Sequence, residues 1–255
     1  MIAGAVLGLA IGVLLGLLGG GGSILAVPAL VYGVGVSLAE AVPMSLLVVG
    51  ISSAAALVPR LRHGHVAWRL AVVFGSAGAA AAFGGAAVNR MLNPRVVLVG
   101  FAVLMVAAGV RMLREPGNAG GDCALPDGGI NWRGCLPKAI GSGLVVGFLT
   151  GLFGVGGGFL IIPALVLLLG LPMTVAVGTS LVIIVVNSAA GFVAHAGDTT
   201  LDYRLAAVFT GAAIVGALAA APAAARLPAE RLRSWFAYLV FAIAAFVVAQ
   251  AVLHP

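Results

Sequence analysis

Leu17-Leu18-Gly19-Gly20-Gly21-Gly22-Ser23-Ile24-Leu25-Ala26-Val27-Pro28-Ala29-Leu30-Val31 recurs 135 residues later as Leu152-Phe153-Gly154-Val155-Gly156-Gly157-Gly158-Phe159-Leu160-Ile161-Ile162-Pro163-Ala164-Leu165-Val166. Nine of the fifteen positions are identical, among them Gly19/Gly154, Gly21/Gly156, Gly22/Gly157 and Pro28/Pro163. The offset holds without a gap through Ser45/Ser180, Ser53/Ser188, Arg69/Arg204 and Phe74/Phe209. Apolar bias raises chance matches, but it does not hold one register over such a length. The chain reads as an internal duplication whose copies each carry a glycine break inside apolar sequence.

Composition sets the class. Hydrophobic residues make up 62% and charged residues 8%, and the mean hydropathy is +1.22, whereas a soluble domain is about a quarter charged. Residues 1–39, 41–59, 70–89, 96–110, 139–197 and 205–225 contain no Asp, Glu, Lys or Arg. Several of these runs exceed the roughly 18 apolar residues of a membrane-spanning helix, which predicts an all-α polytopic membrane protein. The net charge of +6 resides in short loops, with no basic stripe interleaved with aromatics, so no nucleic-acid partner is expected. The first basic residue is Arg60, so the start is not expected to act as a cleavable signal peptide.

Along the chain, residues 2–18 are apolar, the glycines interrupt them, and 23–36 form a short second piece. In the second copy 139–153 and 158–170 both read as too short to span comfortably. Each pair is expected to be a re-entrant hairpin or a broken helix with its glycine turn near mid-membrane. Ser37-Leu38-Ala39-Glu40 reads as a capping box opening a helix to about Val58. Pro172-Met173-Thr174 opens its counterpart, to about Ala194. Two further helices per half follow, 70–89 with 96–113 and 205–225 with 234–253; Asn93-Pro94 and Leu227-Pro228 mark the turns.

Each half then holds three full transmembrane helices plus a glycine-broken pair, an odd number of crossings, which inverts the second half relative to the first. Three parts result: a first repeat over 1–113, a linker over 114–137 and an inverted second repeat over 138–255. Placing the 60–69 loop, the linker region and the 226–233 loop on one side collects ten of thirteen Lys/Arg there. Arg90, Arg95 and Arg204 stay on the other side. The positive-inside rule makes the ten-residue side cytoplasmic.

Cys123 and Cys135, in that linker, fit no zinc or redox spacing and are expected to be reduced thiols. No Walker A, His-Glu-x-x-His or Gly-x-Gly-x-x-Gly motif occurs. His63-Gly64-His65, among arginines, reads as an interfacial loop and not a metal site. No catalytic residue, metal or cofactor is expected.

A helix that begins inside the membrane presents unpaired N–H groups and the positive end of its dipole, roughly half a charge. Gly21, Gly22 and Ser23 open one such helix, and Gly156, Gly157 and Gly158 open the other. Together they suit a cradle for an anion. The competing reading is close helix packing by small residues, which is the simpler one for Gly84-Gly85. Intramembrane polar residues gather on one helix per half: Ser45, Ser52 and Ser53, then Thr179, Ser180, Asn187 and Ser188. Spacings of i, i+7 and i+8 put them on one face, where they either line a cavity or bond between helices. Asn187 is the costliest to leave unpaired in hydrocarbon. Glu40 reads as a cap ahead of a proton carrier, and His195, at the place of Arg60, as interfacial.

The duplicated Gly-x-Gly-Gly followed by Pro-Ala-Leu, with Gly178-Thr179-Ser180-Leu181, Asn187-Ser188-Ala189-Ala190-Gly191 and Asp202-Tyr203-Arg204, resembles the TauE/SafE sulfite-exporter family. The resemblance covers the chain outside 114–137. Pro43-Met44 stands where the second copy has Gly178-Thr179, and Ser52 where it has Asn187, so a site between the copies is not fully symmetric. The resemblance implies an inner-membrane permease for a small anion, sulfite or an organosulfonate, working by alternating access. Its partners are that anion and the lipid bilayer. The competing expectations are a transporter of another small anion, a membrane-embedded enzyme, and a non-transporting scaffold.

Overall fold

In lipid every backbone N–H and C=O must find a partner within the protein, and this chain closes them as helices. The computed structural model describes residues 2–18, 22–61, 66–89, 91–92, 94–114, 132–153, 158–195 and 202–253. Among them are α1 (Ile2–Leu18), α2 (Ser23–Pro28), α3 (Leu38–Leu61), α4 (Trp68–Asn89), α5 (Pro94–Arg114), α6 (Trp132–Phe153), α7 (Gly158–Pro163), α8 (Met173–His195), α9 (Tyr203–Arg226) and α10 (Ala229–Leu253). α2 continues as a π-helix over Ala29–Val34 and α7 as one over Ala164–Leu168. No strand occurs among the described residues.

The register of the duplication carries into the structure: α2 and α7 start 135 residues apart, as do α3 and α8, α4 and α9, and α5 and α10. The stop signal repeats as well. After each π-helical segment a glycine takes a left-handed conformation, Gly35 at φ 83° and Gly170 at φ 67°. Beyond it Val36 N–H bonds the Leu30 carbonyl at 3.1 Å, and Leu171 N–H bonds the Leu165 carbonyl at 3.0 Å. Each bond spans six residues, one more than the Schellman closure of an α-helix, as the wider π-helical turn requires, and glycine takes the left-handed position without strain.

Four described helices are long and apolar enough to cross a membrane, with spans at Glu40–Leu61, Gly134–Leu152, Met173–Phe192 and Tyr203–Ala223. By contrast Ser23–Val34 is a short apolar helix, about 18 Å long at 1.5 Å per residue against a hydrocarbon core of about 30 Å. The outer surface is apolar, with Phe83 72% exposed and Val72, Val103 and Val215 also outward, as lipid contact requires. Trp68 and Tyr203, at matching starts of α4 and α9, are exposed aromatics suited to the interface.

Each half packs chiefly on the other. α1 lies along α9, and α6, its counterpart, lies along α4; α3 crosses α8, and α5 packs on α10. Exchanging the halves leaves these pairings unchanged. The first two are seams of small residues. Gly8, Gly12 and Gly16 face Phe209, Ala213 and Ala217, while Gly143, Gly147 and Gly151 face Phe74, Gly78 and Ala82 at the matching positions. A Cβ on Gly12 would overlap the Ala213 carbonyl, so the backbones touch. Phe74 and Phe209, also counterparts, are fully buried beside the seams.

Two expectations need correction. The arm before the second glycine break is no short piece of 139–153 but a 22-residue helix, Trp132–Phe153. Its charged first turns and Pro137 read as linker, yet a proline in the second turn removes one hydrogen bond without ending a helix. Cys135 is fully buried and disulfide-bonded, so it is not the reduced thiol expected. Compartment alone suggested a free thiol, whereas folding decides whether a sulfur meets a partner. Cys123, residues 115–131 and His63-Gly64-His65 lie outside the described residues.

Candidate functional site

The polar helices α3 and α8 cross each other, α2 packs on α3, α7 packs on α8, and α2 touches α7. Both short half-helices and both polar helices therefore converge on one region. Duplication explains the convergence: each half supplies the same two elements.

The hydroxyls there fall into two groups. Ser45 Oγ donates to the Val42 carbonyl at 2.7 Å and Ser180 Oγ to the Val177 carbonyl at 2.9 Å. Ser52 Oγ donates to the Val48 carbonyl one turn back. Thr179 Oγ1 accepts from the Ala67 amide at 3.1 Å, fastening the segment before α4 to α8. The three serines spend their protons on backbone carbonyls and leave little for an anion, whereas Thr179 accepts in its bond. Ser53 Oγ and Asn187 Oδ1, in contrast, are buried without a hydrogen-bond partner. Buried polar atoms are nearly always paired, so each exception demands a reason. Asn187 is on the α8 face anticipated from the sequence; Ser53, fully buried, is the counterpart of Ser188.

Ser188 is itself buried, and a Cβ on Gly50 of α3 would lie 3.1 Å from its Cβ, which makes it a crossing point of the two helices. Ser23 is buried at the start of α2. Gly22 caps α2 in a right-handed conformation, without a side-chain capping hydrogen bond among the described residues. A Cβ on Gly22 would stand 2.7 Å from the Ile11 carbonyl oxygen, so close packing on α1 already requires glycine there. Gly158 is buried as the first residue of α7. Gly21, Gly156 and Gly157 lie outside the described residues.

Glu40 does what a capping residue does: Ser37 Oγ donates to its carboxylate at 2.7 Å and Glu40 N–H approaches Ser37 Oγ at 3.4 Å. Among the described residues no cluster of His, Cys, Asp or Glu has the makings of a metal site.

Two buried polar groups escaped the sequence reading. Thr210 Oγ1 on α9 has no partner. Arg60, counted with the loop charges, belongs to the last turn of α3 and donates through Nη2 to the Gly16 carbonyl at 2.7 Å, while its Nε is buried and unpaired. The signal was present: Arg60 directly follows the charge-free run 41–59, within one helical pattern.

The sequence model of the family described as Sulfite exporter TauE/SafE matches residues 4–247. A probable membrane transporter protein of Xylella fastidiosa (strain Temecula1) is 34% identical over 241 residues, covering 93% of this chain and 91% of its own. The probable membrane transporter protein YunE of Bacillus subtilis is 31% identical over 235 residues, covering 85% and 86%. A probable membrane transporter protein of Methanocaldococcus jannaschii is 26% identical over 204 residues, covering 78% and 73%. No solved structure matches the chain. The chain is therefore a multi-pass membrane transporter and not an enzyme, and it belongs to the TauE/SafE sulfite exporter family.

Proposed function

We propose that the protein is an inner-membrane permease for a small anion, a sulfur oxyanion such as sulfite or an organosulfonate, working by alternating access. The family description supplies the substrate class. The observation that carries the reading is the pair of unpaired buried atoms, Ser53 Oγ and Asn187 Oδ1, on the two helices that meet the half-helices α2 and α7. In the proposed site the N-termini of the half-helices supply backbone donors and the positive dipole ends. Ser53 donates its O–H to the oxyanion, and the Asn187 amide, turned over so that its NH₂ takes the place of the unpaired Oδ1, completes the coordination. Ser23, Gly158 and Ser188 form its walls. Gly21, Gly156 and Gly157 give the backbone room to approach.

The exchange of contacts between halves supports an inverted repeat, with residues 1–113 and 138–255 related by a twofold axis in the membrane plane. The two glycine seams are then surfaces along which one half rocks on the other. Orientation follows the ten basic residues, which put the linker in the cytoplasm. The disulfide at Cys135 pulls the other way, since such bonds persist in oxidising compartments. The charge asymmetry outweighs it, because it is spread over three loops and acts during insertion. Thermal unfolding of the purified protein against sulfite, sulfate, thiosulfate, taurine and sulfoacetate tests the reading. Stabilisation is expected with sulfite or a sulfonate; indifference to all five contradicts it and fits a scaffold.

A further inference from the structure

Arg60 stands apart from the other basic residues. It ends a 24-residue helix whose stretch from Ala41 to Pro59 carries no charge, and its side chain turns back onto α1 instead of reaching outward to water. Long basic side chains near a helix end ordinarily extend to the interface. This one gives an N–H to the carbonyl of Gly16, two residues before α1 ends and the first glycine break begins. Gly16 O is one of the four carbonyls that no later turn of α1 satisfies, and it carries part of the negative dipole end, roughly half a charge. That offsets only part of a full positive charge.

The remaining charge meets no carboxylate among the described residues. Among the described residues no carboxylate pairs with Arg60: Glu40 is engaged with Ser37 and Asp202 caps α9. Nε is buried with no acceptor. A guanidinium donates five N–H groups in a planar fork suited to an oxyanion, and burying one unpaired is costly. An intramembrane basic residue without a counter-ion marks an ion pathway before it marks a structural pair. The counterpart position in the second half holds His195, not arginine, so the charge is present at only one end of the repeat pair.

We propose that Arg60 is the charged residue through which the carrier recognises its anion, and that the bond to Gly16 is the resting contact it keeps while no anion is bound. This rests on the anion-permease reading above. On binding, the guanidinium turns its Nε edge to the oxyanion, and the end of α1 is released from α3. Recognition and release of the end of α1 are then one event. The fixed charge also sets the substrate class: an anion whose oxygens accept a forked pair, sulfite or a sulfonate, in preference to a spherical halide.

The test is sulfite affinity of the purified protein, read by anion-dependent thermal stabilisation, for the parent, R60Q, R60A and R60K. R60Q and R60A that unfold within a few degrees of the parent without anion are expected to bind sulfite at least tenfold more weakly. R60K, which keeps the charge but not the fork, should lose several-fold. Parent-like affinity in R60Q shows that Arg60 only fastens α1, and overturns the proposal. Should R60Q and R60A fail to fold, R60K decides: undiminished affinity overturns the guanidinium contact, and a several-fold loss supports it. A parent that responds to no anion sinks the permease reading itself, and this proposal with it.

Discussion

Gly147 of α6 lies so close to Gly78 of α4 that a Cβ on Gly147 would overlap the Gly78 carbonyl. The relation of Gly12 to Ala213 repeats it in the other seam. These seams hold helices of opposite halves together without polar side chains, by close backbone approach.

Gly147→Val should therefore destabilise the protein by about 1–3 kcal/mol or more, as overpacking does, and Gly12→Val should do the same. Gly85, whose Cβ would overlap the Phe148 carbonyl, belongs to the same seam, and Gly85→Val should cost stability while leaving anion affinity alone. Gly84, one residue away, faces open space; Gly84→Ala should be neutral or stabilise by about 0.5–1 kcal/mol. Detergent-solubilised unfolding temperatures for the four variants check the contrast.

Orientation has its own test. Met91 is 85% exposed in the α4–α5 connection, and Glu230 is exposed in the first turn of α10, next to the equivalent α9–α10 connection of the second half. If the halves are inverted, the two positions lie on opposite sides of the membrane. In a background without native cysteines, Met91→Cys should react with an impermeant maleimide in intact spheroplasts, and Glu230→Cys only after lysis. Equal labelling of both would refute the inversion.

Glu40→Gln should leave transport and its pH dependence nearly unchanged. The side chain meets Ser37 at a helix start, and glutamine serves that role too. A lost pH dependence in a well-folded variant would make Glu40 a coupling acid.

Much of the architecture was legible because glycine, proline and charge mark helix ends: α3, α4, α5, α8 and α9 begin and end within about three residues of expectation. α10 begins at Ala229, five residues before the expected 234, because Pro228 and not the charged first turn sets its start. The beginning of α6 was hidden for a similar reason, since Arg133 and Lys138 look like loop although a helix can project beyond the hydrocarbon. Pairing across halves is tertiary, and nothing in the spacing of Gly8, Gly12 and Gly16 names α9 as their partner. Arg60 was obscured by its neighbours in sequence, the charged loop, when its neighbour in space is Gly16. Of the polar residues singled out, the sequence could not separate Ser52, already bonded to its own helix, from Ser53 next to it, which has no partner.

That distinction yields a prediction. Asn187→Ala and Ser53→Ala should each weaken anion binding by about 1–3 kcal/mol, while Ser45→Ala and Ser180→Ala, whose hydroxyls serve their own helices, should bind as the parent does. Isothermal titration with sulfite on folded variants measures it. Equal losses at all four positions would remove the assignment of the site to the unpaired atoms.

The most direct measurement is counterflow of radiolabelled sulfite in proteoliposomes of purified protein. The account predicts saturable exchange that unlabelled sulfite or an organosulfonate competes away, that chloride leaves untouched, and that Gly157→Val abolishes although the variant inserts normally. Exchange no faster than in protein-free liposomes, for sulfite and for every sulfonate tried, would contradict it.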